Sequence, residues 1–365
     1  LIADGSGQKF LLTGSLIDAH SGASVEIAGT WTTFGEGTAA QEVIDVQHTQ
    51  PAKVAAYIVE PRYLAAKYVR TSFGPFASIA ESLEPEALTG KRAPIRTTSP
   101  GLTVFQGGAV TPRVYFVKQH LGDLDVWRQV FDLAVSYTPT PHLQLELEVP
   151  FSRTSFDDGA SADSGAGLGN IMLWGKYRFF RKVKTYGDRQ ASARFGLELP
   201  TGKKTAPGAT SVNASAFVRQ QLTPINGGFS PHFDISFSQA GGRFIFGGNA
   251  EGIFRTERDG FRMGHELRVN TDLEYVLLPR DYQKPGKELF LILESTFVTQ
   301  ARGRLNGISV PGSSSNVYYL SPGLQYAAHP RFVVEGSIQL PVYRSAGPQV
   351  LRTDMNLLLG VKYLF

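Results

Sequence analysis

The sequence predicts an all-β chain: a transmembrane antiparallel β-barrel of about 12 strands, preceded by an N-terminal extension of uncertain fold. Three observations predict it. From about residue 113 onward the chain is a series of segments, each of about 10 to 14 residues, that alternate apolar and polar positions with period two. The connections between them alternate short and long. The last segment, Met355 to Phe365, is a strand with one continuous apolar face.

The clearest alternating segment is HLQLELEVPF at 142–151, where Leu143, Leu145, Leu147, Val149 and Phe151 share one face and His142, Gln144, Glu146 and Glu148 the other. Such segments match the ~9 to 11 residues of tilted strand that cross a bilayer and are about twice as long as strands in soluble sandwiches. The same pattern sets Ile171, Leu173, Tyr177 and Phe179 against Asn170, Lys176 and Arg178, and Phe195, Leu197 and Leu199 against Arg194 and Glu198. It recurs with Leu267, Val269, Leu273, Tyr275 and Leu277 against Arg268, Asn270, Asp272 and Glu274, and with Phe332, Val334, Ile338, Leu340 and Val342 against Glu335, Ser337 and Gln339. A face so rich in charge cannot be a dry core, because unpaired buried ions cost too much. It can line a hydrated lumen.

Transmembrane barrels carry short periplasmic turns and longer extracellular loops. The tight connections are Pro139 to Pro141, Lys182 to Gly187, Thr223 to Gly228, Arg280 to Gly286 and His329-Pro330; the long ones are Thr154 to Gly167, Gly202 to Thr210, Ala301 to Ser315 and Ser345 to Gln349. The alternation fails only between residues 240 and 263. Parity there favours an extracellular hairpin that does not cross, so that 243–254 is not counted. The expected crossings lie near 113–121, 125–138, 142–152, 168–181, 189–201, 211–222, 230–240, 264–279, 288–300, 316–328, 331–343 and 352–365. Their even number puts both barrel ends in the periplasm.

In the closing strand Met355, Leu357, Leu359, Val361, Tyr363 and Phe365 form the lipid face. Arg352, Asp354, Asn356, Gly360 and Lys362 form the other, with Leu358 its one large apolar member. A terminal Phe365 with Tyr363 two residues earlier resembles the closing strand of bacterial outer-membrane barrels, and the resemblance implies that these two form an assembly signal. Residues 1–110 differ from the rest, with two or three β segments, a Pro61-interrupted mixed stretch and a Pro/Thr/Ser linker around Pro85 to Pro100. The expected division is 1–110 as a periplasmic domain, plug or partner-binding region and 111–365 as the barrel.

Composition narrows the classes. There is no cysteine, which excludes disulfides, thiolate catalysis, Cys-ligated zinc and iron–sulfur clusters. The 36 basic and 32 acidic residues are interspersed, so no basic block points to nucleic acid. Apolar runs such as 273–278 and 356–360 fall far below the ~20 residues of a spanning helix.

No constellation argues for catalysis. Glu146 and Glu148 are placed like a glycosidase pair but are two of many lumen charges. His142, His232, His265 and His329 are scattered with no metal-ligand spacing. Ser164 lacks the flanking glycines of a nucleophile elbow, and GAGLGN at 165–170 precedes a strand instead of opening a helix. Asp157, Asp158 and Asp163 lie in one loop without calcium-loop spacing. Tyr137, Phe179, Phe180, Tyr318, Tyr319, Tyr343 and Tyr363 fit interfacial aromatic girdles. No cofactor, metal or catalytic residue is expected.

The segments GLGNIMLWGKYRFF at 167–180, FGLELPTGKK at 195–204, YYLSPGLQYAAHPRFVVEGSIQLPVY at 318–343 and the closing LLLGVKYLF resemble the outer-membrane transporter proteins of the MetA-pathway phenol-degradation family. The resemblance covers roughly residues 113–365. It implies a monomeric barrel in the bacterial outer membrane, with passive diffusion or uptake of small, aromatic or hydrophobic molecules. The alternative is a scaffold barrel whose residues 1–110 dock a protein partner. The expected partners are outer-membrane lipid and a small solute, with no nucleic acid. Alternation puts Asp132, Glu146, Glu148, Glu198, Asp234, Asp272, Glu274, Glu294, Glu335 and Asp354 in the lumen with Lys176, Arg178, Arg194, Arg219, Arg268, Arg352 and Lys362. The acidic excess predicts at most a mild cation preference.

Overall fold

The computed structural model describes residues 9–17, 24–32, 43–45, 94–103, 106–184, 187–208, 211–241, 243–278, 287–329 and 331–365. Most of the predicted N-terminal region, and the expected turn Arg280 to Gly286, lie outside the described residues. Three N-terminal strands, β1 (Lys9–Ile17), β2 (Ser24–Thr32) and β3 (Val43–Asp45), pair as a small antiparallel sheet in the order β1-β2-β3.

The barrel begins with β4 (Gly108–Leu121), β5 (Leu124–Thr140), β6 (Leu143–Asp157), β7 (Ala162–Leu168), β8 (Ile171–Lys184) and β9 (Gly187–Leu199). A short helix, α1 (Ala216–Gln221), follows, then β10 (Ser230–Gly241), β11 (Phe244–Ile253), β12 (Phe261–Arg262), β13 (Glu266–Leu278) and β14 (Glu288–Gln300). The two-residue strands β15 (Arg304–Leu305) and β16 (Ile308–Ser309) join β12 in a small loop sheet. The wall ends with β17 (Ser315–His329), β18 (Phe332–Ala346) and β19 (Arg352–Leu364). β7 extends one edge of β6, and the other 12 long strands close as an antiparallel ring through the β5–β6 and β4–β19 pairings.

Closure is completed by the final residue. Leu364 pairs with Ala109, and Phe365 exchanges backbone hydrogen bonds of 2.9 and 3.0 Å with Gly108. A Cβ at Gly108 would lie 2.2 Å from the Ser136 carbonyl, so only glycine fits this corner. β7 and β8 are two parts of one crossing, since β6 pairs with β8 over Leu143–Glu148 and with β7 over Phe151–Asp157. The break faces Pro150. Lacking an N–H, Pro150 only accepts, from Gly169 at 2.8 Å, and the ladder is interrupted there.

Two expected elements are corrected. Residues 211–222 do not cross: Val212, Ala214 and Val218 mimic strand alternation, but Ser215 accepts a hydrogen bond from the Val218 N–H and caps α1. Phe217, Val218 and Leu222 are buried beneath it. Arg219 therefore sits on a helix in an extracellular loop and not on the lumen wall, and Thr223 to Gly228 belongs to that loop. Conversely, 243–254 does cross, as β11 paired with both β10 and β13. Exchanging one crossing for another leaves the strand number, and the sides of the remaining loops, unchanged.

This topology makes an expected result. Cysteine at Gly241, where a side chain meets open space, should stay silent to an impermeant thiol reagent on intact cells, whereas cysteines at exposed Asn213 and Ile308 should label. Labelling at Gly241 would restore the extracellular hairpin and remove β11 from the wall.

The two faces are chemically opposite. Phe131, Leu145, Phe195, Phe233, Ile235, Leu273, Leu293, Leu324, Val334 and Leu359 are exposed on the outside, while Gln144, Glu198, Asp234, Asn249, Asp272, Glu294, Gln325 and Glu335 are buried inside. A soluble protein cannot sustain this inversion; lipid around a polar lumen explains it. Among the described residues no helix is long and apolar enough to cross a membrane.

Candidate functional site: a strapped polar lumen

Residues 94–103, immediately before the barrel, run inside it. This strap is fastened through its backbone to wall carboxylates and amides: the Arg96 and Thr97 N–H groups donate to Glu294 Oε1 at 2.8 and 2.7 Å, Thr98 N–H to Asn249 Oδ1 at 3.1 Å, and Thr103 N–H to Gln144 Oε1 at 3.0 Å. The Arg96 guanidinium donates to Ser337 Oγ at 2.6 Å and to the Asn356 carbonyl at 2.7 Å. Lys176 Nζ reaches the Gly101 carbonyl at 3.2 Å, and Arg194 reaches Thr98 Oγ1 at 2.9 Å. Ile95 fills an apolar patch of Val276, Phe290, Ile292 and Leu358, which explains the one large apolar residue on the inner face of β19.

The strap separates two cavities. The periplasmic one, about 350 Å³, is lined by Asp132, Glu146, Glu148, Lys176, Arg194, Arg268 and Lys362, with Trp174, His232, Glu251 and the strap. Trp174 lies across Gly196, where a Cβ would come within 2.3 Å of the ring. The Arg194 guanidinium stacks on that ring at 3.6 Å and donates to Asp234 at 2.9 Å. Beside it His232 Nδ1 is 2.8 Å from Glu251 and its Nε2 is 3.5 Å from Glu198. On the opposite side Arg113 pairs with Glu335 at 2.8 Å. Arg178, Glu198, Asp234, Asp272, Glu274, Glu294 and Glu335 are buried on the inner surface. Asp354, higher up, contacts His120 at 2.8 Å and Arg344 at 3.6 Å.

The extracellular cavity, about 480 Å³, differs in charge. Among the described residues its lining carries Arg96, Arg113, Arg128, Arg255, Arg268, Arg344 and Arg352 against a single carboxylate, Glu266. Of these only Arg268 and Arg352 were expected in the lumen. The alternation that places Asp132 inside also places Arg128 inside, so that signal was present in the sequence. Arg344 was hidden by a bulge that turns both Val342 and Tyr343 outward. Tyr319, expected in the aromatic girdle, lines this cavity instead.

The loop Asp157, Asp158 and Asp163 engages backbone. Asp157 accepts from Gly159, Asp158 from Ala160, Ser161 and Asn213, and Asp163 from Gly208. The Asn213 N–H, then that of Ser161, holds the Asp158 carboxyl down at about 2, so it stays ionised and ties the hairpin tip to the 208–213 loop. That loop carries α1 over the mouth, where Val212, Val218 and Leu222 pack with Leu124, Val126, Phe156 and Leu351.

A closed ring with an apolar exterior and an ionic interior defines a β-barrel of the bacterial outer membrane. The chain belongs to the family described as "Putative MetA-pathway of phenol degradation", whose model matches residues 96–349. Among solved structures it is similar to the COG4313 outer membrane channel from Pseudomonas putida F1, with 13% identity and a TM-score of 0.55 over 71% of this chain and 94% of that one. It is also similar to the β domain of the Bordetella autotransporter BrkA, with 10% identity and a TM-score of 0.43 over 71% of this chain and 100% of that one. No curated protein matches the sequence.

Proposed function

We propose that the protein is an outer-membrane channel through which small molecules diffuse, with the strap as its narrowest part. The observation that carries this reading is the pair of polar cavities, about 480 and 350 Å³, meeting at residues 94–103. Arg96, Arg113 and Tyr115 line both. Family membership and the fold shared with an outer membrane channel support it. The lumen ions pair with one another across neighbouring strands, which leaves a path suited to small solutes and not to folded partners. Asp132, Glu146, Glu148, Lys176, Arg194 and Lys362 would shape the periplasmic half of that path.

The strap makes the test sharp. Replacing residues 94–103 by a glycine-serine linker of equal length removes Ile95 from its apolar patch and the side-chain anchors of Arg96, Thr98 and Thr103, which empties the strap of its bulk and loosens its hold on the wall. Single-channel conductance of the full chain in planar bilayers should rise severalfold over that of the native protein. Equal conductance would show that the strap is not the constriction, and silence in both proteins would overturn the channel.

A further inference from the structure

We infer that the extracellular cavity is a capture site for small organic anions, specifically carboxylates attached to an apolar, ring-sized body. The inference rests on the channel reading for its physiological sense but on its own observations for the site. Four of the arginines there have carboxylate partners: Arg113 pairs with Glu335, Arg255 and Arg268 with Glu266, and Arg344 with Asp354. Arg96, Arg128 and Arg352 have none within ion-pair distance among the described residues. Arg96 and Arg128 spend their donors on neutral oxygens, of Ser337 and Asn356 for the first and of Thr154 and Gln221 for the second. Arg352 has a buried Nε without a partner.

These three belong to one wall. Asn356, which receives Arg96, is paired with Val117, and Val117 with Arg128, while Arg352 lies one turn of pleats nearer the mouth on the same strand as Asn356. Arg352 thus stands nearest the mouth, with Arg128 and the contact made by the Arg96 guanidinium in one row below it. A low-dielectric cleft lined by one sign of charge focuses its field and raises the local concentration of the opposite ion. Planar guanidinium groups match a carboxylate in two-pronged geometry, which selects that group over a spherical anion. The rest of the lining supplies the apolar complement, in Tyr115, Tyr319, Met263, Val117, Val298 and Val317. A space of ~150 Å³ suffices for benzene, and this cavity of about 480 Å³ holds such a ring with its hydration. The mild cation preference expected from the sequence counted the deeper carboxylates and, of the arginines in this cavity, only Arg268 and Arg352.

The probes are benzoate, its neutral counterpart benzamide, and inorganic phosphate. Titration calorimetry on the full-length, detergent-solubilised protein should give benzoate an affinity at least about tenfold above that of benzamide. The double variant Arg128→Gln with Arg352→Gln should lose about tenfold in benzoate affinity, leave benzamide unchanged, and move the reversal potential in a potassium chloride gradient toward cations. Arg128→Lys with Arg352→Lys should keep the reversal potential near the native value while still weakening benzoate. Heat-modifiable gel migration checks that each variant is folded. Benzoate no tighter than benzamide, or phosphate tighter than benzoate, overturns the inference even if the pore conducts. Tight benzoate binding to a protein that never conducts would sustain the site and sink the channel.

Discussion

Arg194→Leu is expected to destabilise the folded barrel by about 3–5 kcal/mol, because it leaves a buried carboxylate without its counter-ion. The side chain of Asp234 has no exposed surface, and Arg194 is its ion-pair partner at 2.9 Å. The same guanidinium holds the strap through Thr98 and stacks on Trp174, so the loss extends to both. Urea unfolding in detergent, followed by the gel shift between folded and unfolded forms, gives the midpoint. Adding Asp234→Leu should recover much of the loss, since the cost lies in the orphaned charge and not in the missing pair. A single variant with the native midpoint would mean that water reaches Asp234 freely and that the lumen is wider than its ion pairs indicate.

The second large effect separates the two faces of β19. Leu359 is 51% exposed on the outer wall, whereas Asn356 lines the extracellular cavity. Leu359→Arg should cost ~2–4 kcal/mol in lipid, and Asn356→Arg far less, because only the first places a charge in hydrocarbon. The amounts of heat-modifiable barrel recovered from outer membranes measure the difference; equal yields would contradict the assigned faces. Deleting Phe365 removes the paired hydrogen bonds to Gly108 and should lower the yield as well. We propose Tyr363 and Phe365 as the assembly signal for this reason.

How much of this was legible in the sequence depended on whether a segment's side chains declare two faces. Over Leu143–Val149 of β6 and Leu267–Tyr275 of β13, large apolar residues alternate with charged or amide residues with one exception, Thr271, and those strands could be placed from the sequence. In β11 they do not: Gly247, Gly248 and Gly252 leave gaps in both faces, and Gly248 is required because a Cβ would meet the Asn270 carbonyl at 2.8 Å. The strand was hidden by the close approach that makes it fit. The segment 211–222 misled in the opposite way, since alternation on a capped single turn of helix is not a strand signal. Bulges defeat period-two logic locally, as where Phe179 and Phe180 both face lipid. The strap was legible only as a Pro/Thr/Ser linker, because four of its anchoring bonds come from backbone N–H groups and its anchoring side chains, Arg96, Thr98 and Thr103, follow no periodic pattern.

The strap also orders events in time. It joins Ser337 and Asn356, 241 and 260 residues away from Arg96, to a wall segment reached through Thr103 and Gln144, only 41 residues away. These attachments lie on the two sides of the β4–β19 seam, so the strap bridges the seam from within. Its near-side anchor needs only β5 and β6, but its far-side anchor waits for the last strands to be made. The earliest residues of this segment therefore take their final positions last, after loop closure over most of the chain. A barrel released before that step would have a ring of paired strands and an unlatched seam.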